Sequence, residues 1–160
     1  MGELKEFKLA VRLFLKAYRW RRIDPVPWTP LKRAVKHSRI SLVSSAGFVP
    51  PDQPVFDESK KGGDSSFRWI PDSIKVKSLI QTHRSEAFDH KGGEQDPNLV
   101  FPIDRIREMH EAGEIGEVNH RHLSFMGSIT APGPLISQTA PEAADLLIED
   151  GVEIALLVPV

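Results

Sequence analysis

VEIALLVPV, at residues 152–160, has the continuous apolar character of a buried β-strand. It follows residues 141–151, PEAADLLIEDG, which are typical of a helix that begins with a proline and is closed by a glycine. A helix followed at once by a buried strand is typical of α/β proteins, whose ligands bind just beyond the carboxyl ends of parallel strands. The sequence supplies this strand and stops at Val160, where such a loop would begin.

Further strands and helices are predicted upstream of this pair. Strands are predicted at 39–45 (RISLVSS), 74–82 (IKVKSLIQT) and 118–126, a helix at 104–112, and loops at 48–71, 89–97 and 131–139. Strands separated by helices or long crossovers form parallel sheets with helices on their faces. We therefore predict an α/β fold with a mostly parallel sheet and flanking helices, Rossmann-like and three-layered, and incomplete at the C-terminus.

The first 38 residues differ in character from the rest. Apolar residues spaced by three and four, from Leu4 to Tyr18, predict an amphipathic helix over about residues 3–22, and a shorter helical piece is predicted at 31–37. Residues 1–40 carry eleven Lys and Arg against three acids, whereas the remainder is acidic. The basic face is either a surface for nucleic acid or anionic lipid, or a solvated helix face; the second interpretation is favoured. We divide the chain into a basic helical segment, 1–38, and an α/β domain, 39–160.

The composition excludes several classes of protein. The sequence contains no cysteine, so it has no disulfide framework and no thiolate metal site. No apolar run approaches the roughly 20 residues that span a bilayer, and no secretion signal is evident at the N-terminus. We therefore expect a cytoplasmic protein with neither membrane nor nucleic acid as partner, and the sequence is compatible with a homo-oligomer.

Histidines, glycines and serines are the residue types in this sequence that could form a metal, phosphate or nucleophile site. His120 and His122 would share one face of a strand, and His83 or His90 could complete a metal site, but the spacing is unspecific and no metal site is predicted. The glycine pairs at 62–63 and 92–93 do not fit a phosphate-binding loop. The serines at 44 and 45 lack the flanking pattern of a hydrolase nucleophile.

Several segments, in this order, resemble the selenoprotein B family of glycine, betaine, sarcosine and D-proline reductases. They are SSAGF at 44–48, GGDSSFRWIP at 62–71, DPNLVFPIDRIREM at 96–109, GEIG at 113–116, HLSFMG at 122–127 and APEAADLLIEDGVEIALLVPV at 140–160. The resemblance covers most of the chain from about Ile40 onward, and FPIDR with the terminal helix and strand are its most specific parts.

The resemblance implies a selenol- or thiol-dependent reductase that acts on a small amino-acid or amine derivative. In this family a selenocysteine, or a cysteine in variants, comes directly after the strand that 152–160 resembles, and a pyruvoyl-containing partner subunit activates the carbon–nitrogen bond. The chain itself then carries no cofactor. Selenocysteine is encoded by UGA, so our leading hypothesis is a reading frame cut at such a codon. A truncated fragment without activity and a non-catalytic α/β interaction domain are the alternatives.

The predicted sheet edge collects the candidate site residues. His83, at the end of the second predicted strand, is the candidate catalytic acid–base group, because histidine titrates near neutral pH. The expected pocket residues follow the other strands or fold over from the long loop; they are Ser44, Ser45, Gly47, Asp64, Ser66, Arg68, Ser124, Met126 and Gly127. For Asp64 and Arg68 an ion pair that stabilises the loop is an equally good interpretation.

Overall fold

The structure of the protein is a computed structural model, which describes residues 8–18 and 22–160. The chain forms two compact units, Met1–Pro30 and Leu31–Val160. In the first unit, α1 (Leu9–Ala17) confirms the central part of the predicted amphipathic helix, whereas Leu4 lies outside the described residues. The predicted boundary between 38 and 39 stays a prediction. No helix in the described ranges is long and apolar enough to cross a membrane.

The second unit alternates strands and short helices. Its strands are β1 (Arg39–Ser44), β2 (Phe48–Val49), β3 (Phe67–Pro71), β4 (Ile80–Gln81), β5 (Glu117–Val118), β6 (Arg121–Phe125) and β7 (Ile154–Val158). Its α-helices are α2 (His90–Gln95), α3 (Ile103–Glu111) and α4 (Ala140–Glu149). Single 3₁₀ turns occur at Val35–His37, Val76–Ser78 and Pro97–Leu99, and a π-helical turn, Leu135–Thr139, leads into α4.

A mostly parallel sheet is built around β1. Strand β7 runs parallel to β1 over five residue pairs, from Ile40–Ile154 to Ser44–Val158. Strands β5 and β6 also run parallel to β1, whereas β3 pairs antiparallel with β6. The predicted α/β class and mostly parallel sheet are therefore confirmed.

The core lies on both sides of β1, because neighbouring strand residues point to opposite faces. Ile40 and Leu42 join the largest buried cluster, to which α3 contributes Ile103 and Ile106. Val43 packs against a second cluster that contains Leu123 of β6 and Leu147 of α4. Each fully buried side chain of this kind contributes roughly 1.5–3 kcal/mol of hydrophobic stabilisation.

The predicted strand over 74–82 is wrong. Residues 76–78 form a 3₁₀ turn, in which the Ser78 hydroxyl donates to the carbonyl of Lys75 at 2.8 Å. Such local bonds compete with the hydrogen bonds of a sheet. Only Ile80–Gln81 is extended, and it pairs antiparallel with β2 in a separate small sheet.

Three predicted loops contain regular structure. The loop at 48–71 includes β2 and β3; most of its prolines and both of its glycines precede β3, and Pro71 occupies the last position of that strand. The loop at 89–97 contains α2, which begins after Asp89, whose side chain accepts from the amide of Gly92. The loop at 131–139 ends in the π-helical turn.

The C-terminal strand was predicted to be buried, and it is instead an edge strand. Leu156 is 40% and Leu157 67% exposed, because β7 pairs only with β1 within the described residues.

Candidate functional site

The carboxyl ends of β1, β6 and β7 are fastened to one another just beyond the sheet. The Ser45 amide donates to the Val158 carbonyl at 3.1 Å, and the Gly47 amide donates to the Phe125 carbonyl at 2.9 Å. Gly47 has a φ of 68°, which favours glycine. A β-carbon there would lie 3.1 Å from the His83 amide nitrogen. Glycine at 47 thus lets the segment that carries His83 approach the end of β1.

A cleft of about 370 Å³ opens at this edge, within the range of small-molecule sites. Its walls come from the ends of the three strands, from the segment after β6 and from the beginning of α4. The lining residues include Val43, Ser44, Ser45, Phe125, Met126, Gly127, Ile129, Leu135 and Leu157. The walls are mainly apolar, so they can hold a small organic molecule and exclude water from it.

The two serines after β1 have different surroundings. The Ser44 hydroxyl donates to the Val100 carbonyl at 2.6 Å and accepts from the Ala46 amide at 3.1 Å. The half-buried Ser45 hydroxyl accepts from the Val160 amide at 2.9 Å and lies 3.3 Å from the Val160 carbonyl. Ser44 therefore stabilises the floor of the cleft, whereas Ser45 links the floor of the cleft to the segment that follows β7.

His83 lies behind Gly127, next to the cleft. Its side chain is 7% exposed, and its ring stacks on Phe88 with centroids 4.4 Å apart. Its Nε2 is buried and has no hydrogen-bond partner among the described residues. Burial lowers the pKa of His83, and the charges of His90 and Arg84 lower it further. A buried ring nitrogen without a partner is a group that a bound molecule could satisfy.

The residues 64, 66 and 68 form a network that organises the long loop. Asp64 is buried and accepts from the amide of Asp57, from the hydroxyl and amide of Ser66, and from the Lys60 ammonium. Burial raises the pKa of Asp64, but these hydrogen bonds outweigh it and hold the pKa well below its ordinary value. Arg68 donates to the carbonyl of Pro54 and lies over the ring of Phe56.

These three side chains do not line the cleft, so their geometry fits the alternative of a stabilised loop. The loop itself still reaches the site. The carbonyl of Gly62 accepts from the amides of Thr130 and Ala131, in the segment that follows β6. The loop therefore supports one wall of the cleft from behind.

The other predicted pocket residues follow β6 or lie within it. The Ser124 hydroxyl is buried and finds no partner within the described ranges. Met126 lines the cleft and packs with Val49 and Phe56. Gly127 leaves room for two neighbours: a β-carbon at this position would lie 3.0 Å from His83 Nε2 and 3.2 Å from the Ser45 hydroxyl oxygen.

The histidines at 120 and 122 do not share an environment. His120 is exposed and lies near Asp150, whereas His122 is fully buried and accepts from the Leu42 amide at 3.0 Å. His122 Nε2 lies 3.6 Å from Asp72, too far for a hydrogen bond. Within residues 8–18 and 22–160, no group of three or more potential ligand side chains could hold a metal ion.

Sequence reasoning missed the residues that hold His83 in place. Phe88 stacks on its ring, the Ser85 amide donates to its Nδ1 at 3.3 Å, and His90 contacts the Ser85 carbonyl. These residues lie in a segment, 83–90, that has no strand or helix periodicity. The only available signal was the concentration of aromatic and imidazole rings there.

The sequence profile of the glycine/sarcosine/betaine reductase selenoprotein B family matches residues 5–159. The chain belongs to this family. The predicted resemblance is thus confirmed, and it extends further toward the N-terminus than the quoted segments did.

Curated members of this family are subunits of reductases. The chain is 32% identical over 136 residues to the D-proline reductase subunit gamma of Acetoanaerobium sticklandii. The matched region makes up 84% of this chain and 54% of that relative. It is 30% identical over 136 residues to the sarcosine reductase complex component B subunit beta of Peptoclostridium acidaminophilum, and the match makes up 84% of this chain and 30% of that relative. It is 28% identical over 137 residues to the glycine reductase complex component B subunit gamma of Carboxydothermus hydrogenoformans, and the match makes up 84% of this chain and 31% of that relative.

The chain thus spans about half of the length of the first relative and about a third of the other two. No solved structure matches the chain.

Proposed function

We propose that the chain forms part of the substrate site of a reductase complex that acts on a small amino-acid or amine derivative. The observation that carries the proposal is the apolar cleft at the strand ends, with the unpartnered Nε2 of His83 beside it. Family membership supports the same proposal, since the curated relatives are components of D-proline, sarcosine and glycine reductases.

The proposed roles of this chain's residues follow from their positions. The apolar walls would exclude water and bind the aliphatic part of the substrate, and His83 is the proposed catalytic residue, which contacts a polar group of the substrate through Nε2. Gly127 and Ser45 border the space beside that nitrogen, and Gly47 lets the backbone of His83 come close. Met126 and Ser44 form the floor.

The reductive chemistry would come from groups outside the described residues. When bound, a selenol or thiol supplies the nucleophile and a pyruvoyl group on a partner subunit activates the carbon–nitrogen bond. A small cleft with apolar walls and one orphaned ring nitrogen fits a small substrate of this kind.

A Rossmann-like, three-layer domain is supported by α3 and α4, which contribute to different core clusters. A cytoplasmic location is proposed from the composition alone, and a homo-oligomer stays a prediction.

The test uses the intact complex. An affinity-tagged copy of the chain is produced in its native host, and the complex is purified and assayed for reduction of D-proline, sarcosine, glycine and betaine with a dithiol reductant. We expect turnover of at least one of them. His83→Phe keeps a ring that can stack on Phe88 but has no nitrogen, so turnover should fall by about a hundredfold or more, as for a lost general acid or base.

His120→Phe is the matched control, because this histidine is exposed and lies away from the cleft. It should retain turnover. An intact complex with unchanged turnover after His83→Phe would contradict the proposal and favour a non-catalytic interaction domain.

A further inference from the structure

The ring of His83 is held in one protonation form by its neighbours. Its Nδ1 lies 3.3 Å from the backbone nitrogen of Ser85, and an amide N–H can only donate. Nδ1 must therefore be the acceptor and carry no proton. In a neutral imidazole the single proton is then on Nε2.

The segment that supplies this amide is itself fixed. His90 Nε2 lies 3.0 Å from the carbonyl of Ser85, which can only accept, so His90 donates there. On the other side of that ring, Nδ1 lies 2.8 Å from the side-chain nitrogen of Gln81. Phe88 stacks on His83 at an interplanar angle of 25°. Ser85, Phe88 and His90 thus restrict both the rotation and the tautomer of His83.

The proton on Nε2 has no acceptor among the described residues. His83 itself does not line the cleft: Gly127, which lines it together with Ser45, lies between the cleft and the buried Nε2 and has no side chain to fill the space beside that nitrogen. Leaving a buried donor unsatisfied costs about 1–3 kcal/mol. A bound molecule that accepts from Nε2 would remove this cost.

We propose that His83 works as a neutral imidazole, which donates a hydrogen bond from Nε2 to an oxygen of the molecule in the cleft, and that Ser85, Phe88 and His90 are its positioning residues. The identity of that oxygen rests on the proposed function: amino-acid substrates offer a carboxylate. A charged imidazolium would put a second proton on Nδ1, against the N–H of Ser85. A neutral histidine that polarises an oxygen is a known catalytic arrangement.

Burial and the neighbouring side chains act in the same direction. Burial is the largest cause that lowers the pKa of His83, and His90 and Arg84, in the same segment of the chain, lower it further. From the strand ends, Gly127 and Ser45 border the space beside Nε2, and neither of them titrates. Neither side chain carries a negative charge that would favour an imidazolium.

The first experiment is ¹⁵N NMR of the protein labelled at histidine. We expect the His83 signals to show the proton on Nε2 at every pH from 6 to 8. His90→Phe releases Ser85, so the signals should shift toward an average of the two tautomers, whereas His120→Phe should leave them unchanged. A proton on Nδ1, or a charged ring at pH 7, would overturn the inference.

The second experiment separates this inference from the proposed function. The labelled complex is titrated with D-proline and with pyrrolidine, the same ring without a carboxylate. A shift of the His83 Nε2–H signal with D-proline only supports the oxygen acceptor, and equal shifts overturn it. If the complex is active but His83 is charged or carries its proton on Nδ1, the inference is wrong and the proposed function is unaffected. If the complex is inactive and its His83 is in the neutral Nε2–H form, but the His83 signals do not shift with D-proline, the proposed function is contradicted.

Discussion

A single methyl group at Gly127 would reach both polar groups beside the cleft. The added carbon would lie 2.7 Å from the Ser45 carbonyl oxygen and 3.0 Å from His83 Nε2. Because this carbon would fill the space beside Nε2, we expect Gly127→Ala to lower turnover of the complex by about tenfold, which corresponds to about 1.4 kcal/mol in the activation barrier.

Gly133→Ala is the control for this change, because nothing lies within 4 Å of the carbon that it adds. Its turnover should stay within roughly twofold of the original, as for a neutral surface substitution. Equal losses in the two variants would show that the space around Nε2 is not needed.

Asp64 should make stability depend on pH. Its folded-state pKa is held low, so its contribution is fully present above the unfolded pKa of about 3.9 and is lost as the pH falls through the folded value. We expect Asp64→Asn to lower the free energy of unfolding by about 2 kcal/mol at pH 7, because Lys60 and Ser66 lose their anionic partner.

Urea unfolding at several pH values measures this effect. The difference between Asp64→Asn and the original protein should be constant above about pH 5 and shrink below about pH 4. A difference that does not change with pH would mean that the charge of Asp64 contributes nothing.

The connection between α4 and β7 depends on one carboxylate. Asp150 accepts two bonds from Arg121, at 2.7 Å each, and a third from Asn119 at 2.9 Å. The hydrogen bond from Arg121 is the largest cause that lowers the pKa of Asp150. Asp150→Ala should lower the free energy of unfolding by about 2–3 kcal/mol, since Arg121 loses its carboxylate partner and Asn119 loses one of its two acceptors.

Asp145 provides the comparison, because it lies on α4, the helix that Asp150 directly follows, and is exposed. Asp145→Ala should change the free energy of unfolding by less than about 0.5 kcal/mol. If both alanine variants unfold alike, the ion pair of Asp150 does not hold this connection together.

Elements with a strong local signal were predictable. Strand β1 and helices α3 and α4 lie within one or two residues of their predicted bounds, because apolar periodicity and end signals are properties of neighbouring residues. Strand β3 was missed, since its residues become a strand only by pairing with β6, more than 50 residues away in the chain.

The site was predictable in outline for the same reason. The rule that parallel strands end at one edge brought Ser45 and Gly127 together. His83 also lies at this edge, but it follows β4, which pairs antiparallel with β2 in a separate sheet and not with the parallel strands. The rule could not show that Asp64 and Arg68 face each other within their own loop, nor that Phe88 and Ser85 fix the ring of His83. Those contacts depend on side-chain packing in turns, which has no period.

At the scale of the whole molecule, the edge strand β7 and the helix α4 before it are among the elements that expose large apolar side chains. Ile148 of α4 is 69% exposed and Leu156 of β7 is 40% exposed. Exposed strand edges and apolar patches promote association. We expect the isolated protein to self-associate at high concentration, and the double variant Ile148→Lys, Leu156→Lys to reduce this.

Sedimentation velocity over a range of concentrations measures the effect. Leu99→Lys is the control, since this leucine is 64% exposed and lies on the 3₁₀ turn before α3, not on the edge strand or the helix before it. If Leu99→Lys reduces self-association, or if the double variant does not, the surface through which the protein associates does not include Ile148 and Leu156.

The position of β1 in the sheet also affects the order in which the protein can fold. Both neighbours of this strand, the β5–β6 segment on one side and β7 on the other, come from the last third of the sequence. During synthesis β1 leaves the ribosome long before either neighbouring segment is made, so its apolar residues stay exposed until those strands can pair with it. Pairings between such distant segments raise the contact order, which slows folding and prolongs the exposure of sticky intermediates. The central strand is therefore the segment for which we expect chaperones to matter most.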